Sequence, residues 1–191
     1  MRCFLFIIIN LLLLGCNKNE SFQPSEKCKI ASEIRTKVAK KLAQEQGLIP
    51  FGTGGQMLDQ IRMLGLYFQY RKPVSIEEGR KLLVHAVQAL LTEVNADERV
   101  RPYLDHFPFQ PKNVIITISL QKPGGSDFGR DQLCIIKANE GILQYKIDDP
   151  NGHLKEIYRE TYEEAWQKVV GYPRLLEEGS ADRNNNLILL E

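Results

Sequence analysis

From residue 114 onward the chain alternates short strand-like stretches with turn residues, and this pattern restricts the fold more than any other. Val114 to Leu120 reads VIITISL, and Pro123-Gly124-Gly125-Ser126-Asp127 follows as a turn. Leu133 to Ala138 is a second strand, Asn139-Glu140-Gly141 a turn, and Ile142 to Ile147 a third strand. Asp149-Pro150-Asn151-Gly152 then puts proline at the second position of a type I turn and glycine at the fourth. A fourth strand, His153 to Arg159, pairs back across it. β-Branched and aromatic residues suit a pleated, half-buried surface, and consecutive strands joined by turns pair antiparallel. An antiparallel meander is the expected centre of the fold.

Helical periodicity flanks this meander. Ser25 to Gln46 repeats Ile30, Ile34, Val38 and Leu42 every four residues, with Ser25 placed to cap it and Gly47 after its end. Its other faces carry Lys29, Glu33, Arg35, Lys37, Lys40 and Lys41. A second helix, 76–95, opens with a Ser75/Glu78 capping box and aligns Ile76, Leu83, Val87, Leu90 and Val94 on one face. Thr161 and Glu164 form another capping box, opening a helix through Val170. Between the first two helices, Leu66-Tyr67-Phe68-Gln69-Tyr70 is strand-like, while Met57 to Leu64 suits a strand or a helical turn equally. The prolines at 102, 108 and 111 force an extended connection, because residues before proline avoid the helical region. The order α-β-α-β-β-β-β-α predicts an α+β fold: an antiparallel sheet of four to five strands with about three helices packed on one face.

Composition agrees with one folded domain over 26–178. The 191 residues are 43% hydrophobic and 26% charged, and 25 basic against 24 acidic side chains give no basic excess for nucleic acid. One segment departs from these averages. After Met1-Arg2, Phe4 to Leu14 is apolar except for Asn10. Eleven helical residues reach only about 17 Å, short of a ~30 Å hydrocarbon core but typical of a secretory signal.

That run ends in Leu13-Leu14-Gly15-Cys16, followed by the polar Asn17-Lys18-Asn19-Glu20. This resembles the lipobox of bacterial lipoproteins over about the first 20 residues. The resemblance implies that residues 1–15 are a removed signal peptide and that Cys16 takes a diacylglyceryl thioether and an N-acyl chain such as palmitate. Residues 16–25 would be the lipidated tether. The implied location is the cell membrane or outer membrane, facing an extracytoplasmic compartment, with Asn17 leaning toward the outer membrane by the enteric rule. Removal of 15 of the 191 residues leaves 176, and the loss of Arg2 lowers the basic count from 25 to 24, equal to the acidic count. Residues 17–25 span at most ~32 Å, so the domain would sit close to the membrane. With Cys16 acylated, Cys28 and Cys134 remain as an even pair. A disulfide and two buried thiols are both open, and the thiols are the simpler reading.

No catalytic residue, cofactor or metal is assigned. Phe51-Gly52-Thr53-Gly54-Gly55 could cradle phosphate with its backbone N–H groups. It lacks the Gly-Lys-Ser/Thr of a phosphate loop and has Met57 where a dinucleotide motif needs its last glycine. A tight helix-to-strand turn using positive φ explains it without a ligand. His85, His106 and His153 do not converge in sequence, and His85 sits on the polar side of its helix. Neither Cys28 nor Cys134 has a zinc partner at the right spacing. Asp148, Asp149, Asn151 and Glu156 fall short of a calcium loop, and Gly124-Gly125-Ser126 lacks the second glycine of a serine elbow. Tyr162 and Trp166, four residues apart, suit packing against a sheet better than stacking on a sugar.

Two functional expectations follow. The first is a non-enzymatic envelope lipoprotein acting through an envelope protein partner, without nucleic acid. Leu187-Ile188-Leu189-Leu190, after the polar tail 179–186, is then an edge strand or a strand offered to that partner. The alternative is an anchored enzyme or small-ligand binder using Gly52, Thr53, Gly54 and Gly55, with Arg62, Asp59 or His106 converging there.

Overall fold

The four-residue recurrence of Ile30, Ile34, Val38 and Leu42 buries one face of helix α1 (Glu26–Gln46) in the computed structural model, which describes residues 24–171. Gly47 ends the helix in the left-handed region at φ 69°, where its N–H reaches the Ala43 carbonyl. Ser25 precedes the helix, but its side chain makes no capping bond. Helix α2 (Ile76–Ala96) does carry the expected box: Ser75 Oγ accepts from the Glu78 N–H at 3.2 Å, and the Glu78 carboxylate accepts from the Ser75 N–H at 2.8 Å. Those bonds hold the Glu78 carboxyl below its ordinary pKa. Helix α3 (Tyr162–Val170) starts in the same way at Thr161 and Glu164.

The fold is α+β, with these three helices and one six-stranded sheet among the described residues. The strands are β1 (Ile49–Gln56), β2 (Met63–Tyr70), β3 (Val114–Leu120), β4 (Leu133–Asn139), β5 (Ile142–Asp148) and β6 (Leu154–Thr161), lying side by side in chain order. The meander β3 to β6 is antiparallel as expected, and so is the β1–β2 hairpin. Two expectations need correction. The sheet has six strands rather than four to five, because the glycine-rich segment pairs with β2 as a strand. It is mixed rather than antiparallel, because β2 and β3 run parallel. Helix α2 carries the chain back along the sheet, so β3 starts at the end where β2 started, as a crossover connection requires.

The core lies on one side of the sheet. Val114, Ile116, Ile118 and Leu120 point under the helices, while Ile115, Thr117 and Ser119 point the other way. Helix α1 packs over β1 and β2, α2 over β3 to β5, and α3 over β5 and β6. Burying one Leu or Ile side chain contributes about 1.5–3 kcal/mol, and Leu42, Leu64, Leu83, Leu90, Ile116 and Ile118 are all inaccessible to solvent. Tyr162 is buried and Trp166 packs against the same core, their rings 6.1 Å apart, as the packing reading of that pair expects. The signal segment 1–15, Cys16, the tether up to residue 23, the last seven residues of the 26–178 domain and the tail 179–191 with Leu187–Leu190 lie outside the described residues.

Candidate functional site

Gly52, Thr53, Gly54 and Gly55 are part of edge strand β1, not a loop. Their glycines answer to a neighbour on β2. Gly52 pairs with Tyr67, and the Tyr67 ring lies across β1. A Cβ at Gly54 would come within 2.5 Å of the Tyr67 hydroxyl oxygen, and one at Gly52 within 3.3 Å of Cδ2. Gly55 has φ 142°, and a Cβ there would meet the Met63 carbonyl oxygen at 2.3 Å. An aromatic side chain thus fills the space a phosphate cradle would need. Beneath the strand, Arg35 of α1 donates from Nη1 to the Gly54 carbonyl at 2.9 Å. The sequence places Arg35 off the apolar repeat of its helix, yet only 7% of it is exposed, and burial lowers its pKa.

The side of the sheet away from the helices is mixed and half-buried, with Ile115, Ile135 and Ile142 among its polar residues. Strand register aligns Tyr67, Thr117, Lys137, Gln144 and Arg159 in one row across β2 to β6. Phe51 joins the β1 end of this row, its ring 6.2 Å from Tyr67. At the other end Glu156 accepts from Arg159 Nε at 2.8 Å and from Gln144 Nε2 at 2.7 Å. Those donors hold the Glu156 carboxyl below its ordinary pKa, Arg159 foremost. The row offers an aromatic pair, two cations and amide or hydroxyl donors. Its chemistry is that of contact and hydrogen bonding; its carboxylate is already committed to Arg159 and Gln144.

The most desolvated charge cluster sits on the helical side. Glu160 of β6, 4% exposed, accepts from Arg80 Nε at 2.7 Å, Tyr145 Oη at 2.7 Å and Lys168 Nζ at 2.8 Å. Burial alone would raise its pKa, but bonds from Lys168, Arg80 and Tyr145 outweigh it and hold the carboxyl low. The Tyr145 hydroxyl is pushed far up by its own burial and by the Glu160 charge. Arg80 and Lys168 also lie over the Tyr158 ring, at 5.9 and 5.6 Å from its centroid. Tyr158 Oη adds a longer contact to Oε2 at 3.4 Å, and the carboxylate ties together α2, β5, β6 and α3.

Arg62 and His106 do come together, around Asp105 rather than around the glycines. Asp105 forms an ion pair with Arg62 Nε at 3.8 Å and faces His106 Nδ1 at 2.8 Å, at the end of the sheet where β1 and β2 are joined. Asp59 contributes its backbone carbonyl, which accepts from Lys27 Nζ at 2.8 Å. An open groove of about 730 Å³ runs along α1 past Cys28, Ser32, Arg35 and Thr36. A second, of about 330 Å³, lies between Lys41, Gln46, His85 and Gln88. Neither is lined by Gly52–Gly55, Asp59, Arg62 or His106. Among the described residues no three His, Cys, Asp or Glu are grouped to hold a metal ion.

Cys28 and Cys134 are free thiols in the structure. Cys28 belongs to α1 over β1 and β2, whereas Cys134 lies on β4, two strands beyond β2 at about 4.8 Å each. The Cys134 thiol donates to the Lys146 carbonyl at 3.4 Å, and burial pushes its pKa up to about 11, so it stays protonated at neutral pH. Set against protein-family models, curated proteins and solved structures, the chain matches none of them. Residue-by-residue reading missed Arg35, Tyr67, Asp105 and the Glu160 cluster. Only Glu160 left a trace: it occupies the inward period shared with Tyr158, where a carboxylate is out of place without partners.

Proposed function

We propose that the chain is a lipid-anchored bacterial envelope lipoprotein whose α+β domain works through contact with an envelope protein, without catalysis. The observation that carries this is Leu13-Leu14-Gly15-Cys16 at the end of an eleven-residue apolar run. Two or three acyl chains on one cysteine would anchor it persistently, since each buried methylene contributes about 0.8 kcal/mol and a single chain binds only marginally. No described helix is long and apolar enough to cross a membrane; on the lipoprotein reading the acyl chains supply the attachment. The polar row from Tyr67 to Arg159 supports a contact role, because it presents donors and cations on a side that carries no helix among the described residues. The rival ligand-loop reading of Gly52–Gly55 has the Tyr67 ring against it.

Cys16→Ser tests the anchor. The unaltered chain should fractionate with membranes and yield an N-terminal peptide carrying acyl chains on Cys16. The variant should lose acylation and move to the soluble fraction. A variant that keeps residues 1–15 and stays with membranes would make the apolar segment itself the anchor and overturn the lipoprotein reading.

A further inference from the structure

The chain outside the structure enters at Pro24, and the connections at that end of the sheet carry exposed apolar tips. Helix α1 starts there, and Lys27 Nζ donates to the carbonyls of Leu58 and Asp59, pinning the β1–β2 connection against its first turn. The segment after α2 reaches the same place. Ile61 bridges to Leu104, its N–H donating to the Tyr103 carbonyl at 2.7 Å and its carbonyl accepting from the Asp105 N–H at 3.1 Å. Leu58 is 90% exposed, the highest figure for any large apolar side chain described, and Phe107 is 51% exposed. The Phe107 ring lies under the Arg101 guanidinium, 4.4 Å from centroid to carbon. Connections at a sheet end are ordinarily polar, and neither side chain has a core to enter.

We infer that this end of the molecule, with Leu58 and Phe107 at its tips, lies against the bilayer that holds the anchor and sinks both side chains into its interface. The inference rests on the lipoprotein reading and adds an orientation and an insertion surface to it. Length decides which end meets the membrane. Between Cys16 and Pro24 the chain spans at most about 30 Å, while the 21 residues of α1 alone measure about 31 Å. The far end of the domain could touch the bilayer only with the tether fully stretched along the protein, which costs nearly all of its conformational freedom. The near end needs no stretching. Charge has a smaller part, because the three cations Lys27, Arg62 and Arg101 near the tips outnumber the carboxylates of Asp59 and Asp105 by only one. Apolar contact sets the preference, so neutral lipid is the right probe.

The test uses the acylated protein in phosphatidylcholine vesicles with brominated acyl chains, which quench indole only at contact depth. Leu58→Trp and Phe107→Trp are made in a Trp166→Phe background, with Leu154→Trp, also exposed and at the far end of the sheet, as the control. Emission from the first two should fall about twofold or more against unbrominated vesicles while the control is unchanged. Equal, unquenched emission from all three, on protein that still floats with vesicles, overturns the inference. The mass of the N-terminal peptide separates the two readings. If it shows no acyl chain, the lipoprotein reading fails alone. The surface is then read on a chain beginning at Cys16, in a Cys28→Ala background, coupled through the Cys16 thiol to a maleimide phospholipid. Quenching sustains the surface and its absence removes it.

Discussion

Glu160 shows how much of this protein's stability turns on one carboxylate. Removing its charge leaves Arg80 and Lys168 facing a site built for an anion, and Arg80 is itself 8% exposed. Glu160→Gln should lower unfolding free energy by about 3 kcal/mol, as breaking a buried ion pair does, which denaturant titration measures. The pH dependence has a definite sign. The folded carboxyl is held below its ordinary value of 4.5, so its contribution is complete above that pH and is lost as pH falls below it. The acid side of a melting-temperature profile should therefore be shallower in the variant than in the unaltered protein. Identical acid slopes would show that the cluster adds nothing to stability. The inward period of β6 hinted that Glu160 needs partners, but not which ones, since its charged and hydroxyl donors at 80, 145 and 168 lie up to 80 residues away in the chain. Ser75 with Glu78 and Thr161 with Glu164 were legible because each box closes within three residues.

Strand β1 belongs to the element scale, where local reading chose a turn and the hairpin made a strand. Glycine weakens a strand on its own, having no side chain to pack and more entropy to lose. Here the neighbouring Tyr67 supplies the missing surface from across the ladder, and the glycines leave room for its ring. Gly55 is the strictest position, with φ 142° and backbone 2.3 Å from where a Cβ would sit. Gly55→Ala should cost about 2 kcal/mol or more, because the obstruction is a backbone carbonyl and the conformation is one that L-residues avoid. A neutral result in thermal unfolding would mean the hairpin can shift its register freely. Tight packing of Tyr67 against β1 also weakens the ligand-loop reading, since a phosphate would have to displace an aromatic ring. The four strands from Val114 onward were readable because each carries β-branched or aromatic residues and is bounded by turn residues. The glycine strand has no such period, and only its partner defines it.

At the scale of the whole molecule, the β2–α2–β3 crossover turns two sets of strands into one mixed sheet and leaves helices on one side of it. That arrangement is why the Tyr67–Arg159 row faces outward and why the entry of α1 shares an end with Leu58 and Phe107. If Leu187–Leu190 serves a partner, deleting residues 184–191 should leave the melting temperature unchanged. A fall of more than about 4 °C, equivalent to roughly 1–2 kcal/mol for a domain of this size, would instead make the tail part of the fold. The sequence by itself determined the helices, the antiparallel meander and the α+β class, and the expectation of an anchor at Cys16 rests on it alone. Periodicity, capping boxes and turn residues act between neighbours a few positions apart, so one chain segment contains all their information. Only the tertiary structure decided that Gly52–Gly55 would be a strand, that β2 and β3 would run parallel, that Arg35 would be buried and that Glu160 would collect donors from Arg80, Tyr145, Tyr158 and Lys168. Those outcomes depend on groups that are distant in sequence and meet only after the chain has crossed back over its own sheet.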